Sequence, residues 1–190
     1  MLKGWRLVGW AALVLVTMAA AIVTAHGLTT QGMGALLRAT ARTSALLLLA
    51  AFVATPARVA RPGPASRWLV ENRRYIGVSF AVSHAVHLLA IIGLAVVARQ
   101  GPGWNVAVLG GIGYLFIAAM TATSFDRTAA WLGQRRWKRL HTTGLYYLWM
   151  TFTLSFLGSA SREPAAAAAA AALLGALAFR LWFRPAPGAG

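Results

Sequence analysis

Four imidazoles carry most of the chemistry this chain can offer: His26, His84, His87 and His141. A neutral imidazole ligates transition metals through a ring-nitrogen lone pair, and inside an apolar helix bundle it must face something polar. His84 and His87 are three residues apart, so one helix face presents both. The carboxylates are only three, Glu71, Asp126 and Glu163, and all are expected in links between apolar runs. No acid therefore stands where a proton-coupled transporter would need one. Cysteine is absent, which excludes disulfide scaffolds, thiol redox chemistry and Cys-held zinc or iron–sulfur centres.

The elements that position these imidazoles follow from composition. Of 190 residues, 59% are hydrophobic and 11% charged, against about 25% charged in an ordinary soluble domain. Too few charges remain to cover a water-facing surface, and too many apolar residues are present for disorder. A spanning helix needs about 20 mostly apolar residues. Six runs meet that length, at about 7–26, 35–55, 75–97, 105–124, 140–157 and 164–183, with Arg38 and Arg42 falling inside the second. Gly/Pro-bearing links separate them, as at Arg61, Pro62, Gly63 and Pro64. The first run follows Lys3 and Arg6 like a signal peptide, but exceeds the ~7–15 apolar residues of such a segment. The expected fold is all-α: residues 1–190 as a single polytopic six-helix transmembrane domain in contact with membrane lipid. The longest link, about 56–74, is too short for a nucleotide-binding fold, so flavin or nicotinamide chemistry would come from another chain.

The formal charge is +15. The basic residues lie between apolar runs rather than in one patch, which argues against nucleic acid as a partner. They sort by side instead. With both termini inside, Arg38, Arg42, Arg99 and Arg162 are outside and the other 14 of 18 Lys and Arg are inside. That asymmetry predicts two cytoplasmic termini. Most tryptophans, Trp5, Trp10, Trp104, Trp137, Trp149 and Trp182, are expected in interfacial belts, and His26 at an interface. The glycines at 110, 111 and 113 and the alanines of 165–172 predict smooth, closely packed helix faces.

The third and fifth runs point the same way, so imidazoles projecting from them could clamp a metalloporphyrin between two parallel helices. At 1.5 Å per residue His84 lies ~14 Å and His87 ~18 Å along the helix from Tyr75. His141 sits beside Arg139, near the inner interface, so depth alone favours His84 as its partner. An early helical start through residues 135–139 would narrow the mismatch. Two other roles stay open on spacing alone: polar glue between helices, or an i,i+3 chelating pair for a transported metal.

Two ordered motifs carry a resemblance. Arg73-Arg74-Tyr75-Ile76-Gly77-Val78 followed by His87, and Thr123-Ser124, Leu132-Gly133 and Arg136-Trp137-Lys138-Arg139-Leu140-His141, resemble the third- and fifth-helix openings of ferric reductase-like transmembrane domains. Among these, the heme-binding membrane subunits of bacterial methionine-sulfoxide reductase systems are most similar. The likeness covers residues 73–149, and the rest matches by span count alone.

The resemblance implies a b-type cytochrome of the bacterial inner membrane, carrying electrons from a quinol or flavoprotein donor to an outer-side acceptor. It implies heme b ligated axially by His87 and His141, with His84 as an alternative ligand or a support for one. FMN is implied by the resemblance alone, without a residue pattern here to bind it. Relatives carry further histidines deeper in both helices. Here Leu154 stands at such a position, which supports one heme near the inner side rather than two. Arg73, Arg74, Arg38 and Arg42 are the candidate partners for propionates or another anion, since guanidinium matches carboxylate in a two-pronged geometry. The alternative function is a heme-free transporter or assembly component whose histidines only pack helices.

Overall fold

A computed structural model describes residues 2–183. Arg184, counted above with the inner charges, lies outside them, as does the short segment after the last run. The described residues form seven helices and no strand: α1 (Trp5–His26), α2 (Thr30–Ala60), α3 (Pro64–Ala98), α4 (Trp104–Ala122), α5 (Asp126–Leu132), α6 (Gln134–Ser159) and α7 (Pro164–Trp182). Five of them, α1, α2, α3, α4 and α7, are long and apolar enough to cross a membrane. The chain is thus a multi-pass, all-helical membrane protein in character. α6 has the length, but Tyr146, Tyr147, Trp149 and four threonines dilute its apolar content, and it is not among the five.

Local chemistry explains the ends. Thr29 caps α2 by accepting from the Gly32 N–H at 3.1 Å. Pro64 and Pro164 open α3 and α7, where a missing N–H costs nothing. Gly133, at φ +78°, turns the chain from α5 into α6, a conformation an L side chain would resist.

Three helices clearly outrun the expected spans. α2 continues to Ala60 rather than stopping at 55, although Pro56 sits inside it. Proline deprives the Phe52 carbonyl of its helical donor. Arg180 of α7 replaces that donor: its Nη1 donates to the Phe52 carbonyl, and its guanidinium lies 4.8 Å over the Phe52 ring. α3 begins at Pro64 rather than 75, so Glu71, Arg73 and Arg74 stand on a helix and not in a link. α5 was not expected at all. α6 does begin early, at Gln134.

Hydrogen bonds gather the helix ends. At one end the Gly4 N–H donates to Asn72 Oδ1 at 3.0 Å, Trp68 Nε1 donates to the Leu2 carbonyl at 2.7 Å, and Arg74 pairs with Asp126 at 2.8 Å. Through Arg180, the last turns of α7 reach this same half of the bundle. At the other end Arg42 of α2 pairs with Glu163, just ahead of α7, at 2.9 Å. Between the ends, Leu48, Phe80, Ile117, Leu148, Phe152 and Leu173 close an apolar core drawn from α2, α3, α4, α6 and α7. The alanine run behaves as read, with Ala166, Ala170 and Ala176 buried at helical spacing. Of the α4 glycines only Gly113 packs closely, 3.7 Å from Leu148 when a Cβ is placed on it; Gly110 and Gly111 face open space.

Candidate functional site

α2 and α3 run antiparallel, and their seam is polar where two membrane helices would ordinarily be greasy. Thr40 Oγ1 lies 2.9 Å from His87 Nδ1, and Ser44 Oγ lies 3.4 Å from His84 Nδ1. Ser83 joins Thr43 at 3.1 Å and Ser44 at 2.9 Å. Thr40, Ser44 and Ser83 are fully buried. One turn below Ser83, the equally buried Ser79 Oγ has no hydrogen-bond partner among the described residues. The arrangement follows from spacing: Thr40 and Ser44 repeat at i,i+4 on α2, and Ser79, Ser83 and His87 repeat likewise on α3.

Aromatic rings wall the other side. The His84 ring stacks on His87 at 4.9 Å, on Tyr114 of α4 at 4.8 Å and on Phe80 at 5.4 Å, and meets Phe152 of α6 at 5.4 Å. Tyr114 donates its hydroxyl proton to the His84 carbonyl at 3.2 Å. The two α3 imidazoles thus form one half-buried cluster past the middle of α3, each with Nδ1 turned to an α2 hydroxyl. The cluster stands at the level of the Arg38–Arg42 stretch of α2, and so is displaced toward the Glu163 end rather than the inner end expected for a heme. For His87 that leaves Nε2 as the nitrogen free to ligate.

His141 occupies a different setting. Its Nε2 lies 3.0 Å from Thr123 Oγ1 at the end of α4. Trp137 stacks on it at 4.2 Å and donates Nε1–H to the Thr123 carbonyl at 2.9 Å. Here the engaged nitrogen is Nε2, the reverse of His87.

The two expected ligands are not brought together. His84 touches Phe152, which is eleven residues beyond His141, or ~16 Å further along α6. α4 gives a consistent register: its Gly113 meets Leu148, whereas its Thr123 meets His141. His87 is one further turn along α3. Where α6 faces the α3 imidazoles it presents Phe152, buried among Phe80 and Phe156. The depth comparison made from sequence was right in direction, and the early start of α6 does not remove the gap. Among the described residues no three His, Cys, Asp or Glu side chains converge as a metal cage.

The arginines resolve into internal pairs. Arg42 and Arg38 both face Glu163, at 2.9 and 4.0 Å, so the anion expected beside them is a carboxylate of the chain itself. Arg74 pairs with Asp126 and lies about 6 Å over the Tyr75 and Phe125 rings. Arg73 is exposed. His26 ends α1 on the surface, as an interfacial residue would. Trp149 departs from a belt role: it is turned inward, stacks on Phe52 and donates to the Leu173 carbonyl at 2.8 Å. Leu154 is exposed.

Comparison with family models, with curated proteins and with solved structures gave no match. The hydroxyls were the residues that sequence reasoning missed. The run Ala39-Thr40-Ala41-Arg42-Thr43-Ser44 drew attention to its arginine. The signal was available in the demand that each buried imidazole N–H find an acceptor.

Proposed function

We propose that this chain is a heme b membrane subunit that carries electrons across a bacterial inner membrane. It would cross six times, with α6 as the fifth span and both termini cytoplasmic, taking electrons from a quinol or a flavoprotein and passing them to an outer-side acceptor. The observation that carries this reading is His87: a half-buried imidazole inside the helix bundle whose Nδ1 is held by Thr40, so that Nε2 faces away from its support. Metal-ligating histidines are oriented in this manner, with the second ring nitrogen anchored on a neighbouring polar group. The motif resemblance over residues 73–149 supplies the identity of the metal group.

The residues fit the group on one side. His87 meets the requirement of an axial ligand, with His84 stacked beside it as an alternative. His141, the expected opposite ligand, does not meet it in this arrangement, because it lies ~16 Å along α6 from the level of His84 and its Nε2 is already engaged. When bound, a heme iron supplies one-electron chemistry without needing a general acid or base. The chain's own part would be to hold the His87 ring still through Thr40, and to pack Phe80, Tyr114 and Phe152 around its stacked neighbour His84.

A second reading is favoured by a specific observation. Both α3 imidazoles have hydroxyl partners on α2, and His84 also has aromatic neighbours on α4 and α6, which is what a heme-free transporter or assembly component would use to fasten its helices. Colour separates the two. Protein purified from heme-sufficient cells is expected to show a Soret band and a reduced α-band that His87→Ala abolishes. A colourless preparation contradicts the heme reading and favours the second.

A further inference from the structure

We infer that Thr40 is a positioning residue that sets the tautomer of His87, placing the proton on Nδ1 and the lone pair on Nε2. Thr40 Oγ1 lies 2.8 Å from the Leu36 carbonyl and 3.1 Å from the Leu37 carbonyl, besides its 2.9 Å contact with His87 Nδ1. A hydroxyl has one proton and two lone pairs, and a carbonyl can only accept. The Thr40 proton therefore goes to the backbone of α2, and the bond to His87 is donated by Nδ1–H. Thr40 has no exposed surface, so water does not offer the hydroxyl another partner.

The direction matters because a free neutral histidine side chain favours the opposite form, with the proton on Nε2. Reversing the His87 tautomer would cost its hydrogen bond with Thr40 in the present orientation. At the strength of one interhelical hydrogen bond in a membrane, that biases the tautomer ratio by roughly threefold to twentyfold. The Nδ1–H form that Thr40 favours is the one that leaves the lone pair on Nε2 and so makes Nε2 the coordinating atom. Nε2 is the nitrogen remote from Cβ, and it is the one that can approach a flat macrocycle without the side chain's own stem colliding with it. The tautomer itself is independent of any cofactor; its use in ligation rests on the heme reading above.

The test uses the full chain purified in detergent, in the wild type, Thr40→Val and Thr40→Ser. In a colourless preparation the readout is the ¹⁵N spectrum of labelled histidine, with His87 assigned by its loss in His87→Ala. The expected result is Nδ1–H in the wild type, a ratio moved threefold to twentyfold toward Nε2–H in Thr40→Val, and recovery in Thr40→Ser. An Nε2–H signal in the wild type, or a ratio that Thr40→Val leaves unmoved, overturns the inference, while the absence of colour counts only against the heme. In a coloured preparation Thr40→Val is expected to raise the heme midpoint potential and weaken heme affinity by about 10–100-fold, with Thr40→Ser restoring both. An unchanged potential in Thr40→Val then overturns the inference and leaves the heme standing.

Discussion

Two imidazole sites on neighbouring helices meet the same demand in opposite ways. At the α2–α3 seam, Thr40 holds Nδ1 of the half-buried His87 and leaves Nε2 without a hydrogen bond, with the His84 ring stacked beside it. At the α4–α6 end, Thr123 holds Nε2 of His141, and Trp137 covers the ring. Both threonines bond back to a carbonyl four residues earlier, Leu36 at 2.8 Å and Ala119 at 2.7 Å. Each hydroxyl is thus shared between its own helix backbone and its histidine. The first pair leaves Nε2 of His87 unengaged. The second ties down the nitrogen that ligation would use, and so reads as a fastening between α4 and the start of α6. Identical residue types thus acquire different chemistry from which ring nitrogen meets the hydroxyl.

The strongest way to break that contrast is at Gly144. A Cβ there would run into Met120 and Phe116 of α4. Gly144→Leu is expected to force α4 from α6, costing about 1–3 kcal/mol by overpacking and releasing His141 from Thr123. The Nδ1 contact of His87 should persist. Reversible unfolding in mixed micelles gives the cost, and histidine ¹⁵N shifts report the two sites separately.

Removing Ser83 probes the other site. Its hydroxyl links Thr43 and Ser44 across the seam. Ser83→Ala should cost about 0.6–1.7 kcal/mol, the range for hydrogen bonds between membrane helices, and loosen His84 while leaving His141 alone. Hydrogen exchange of α2 and α3 amides checks which side responds.

These expectations also show what was readable in the chain. The apolar runs gave the long helices, and the i,i+3 spacing gave the shared face of His84 and His87. The reach of α2 beyond residue 55 was not readable, because Pro56 is tolerated only through Arg180, a residue from the last helix. The level of His141 was not readable either. It depends on how α4 docks on α6, through Gly113, Gly144 and Thr123, and sequence spacing within α6 is silent on that. For Arg38 and Arg42 the sequence allows either snorkelling outward or an anionic partner; Glu163 lies far along the chain, and only the fold joins them.

The smallest effect is expected there. Glu163→Gln removes the carboxylate from an exposed pair, worth less than about 1 kcal/mol and weakened further by salt. Neither histidine site should change its ¹⁵N shifts, which makes the variant a control for the comparison.

The most direct measurement is the reduced-minus-oxidised optical spectrum of the purified protein beside His87→Ala and His141→Ala. A wild-type Soret and α-band lost in His87→Ala is the result this account predicts. Loss in His141→Ala as well would put His141 on the iron too, and would require α6 to move ~21 Å relative to α3 to reach the level of His87. A wild-type spectrum without heme bands, or bands that survive His87→Ala intact, would contradict the account.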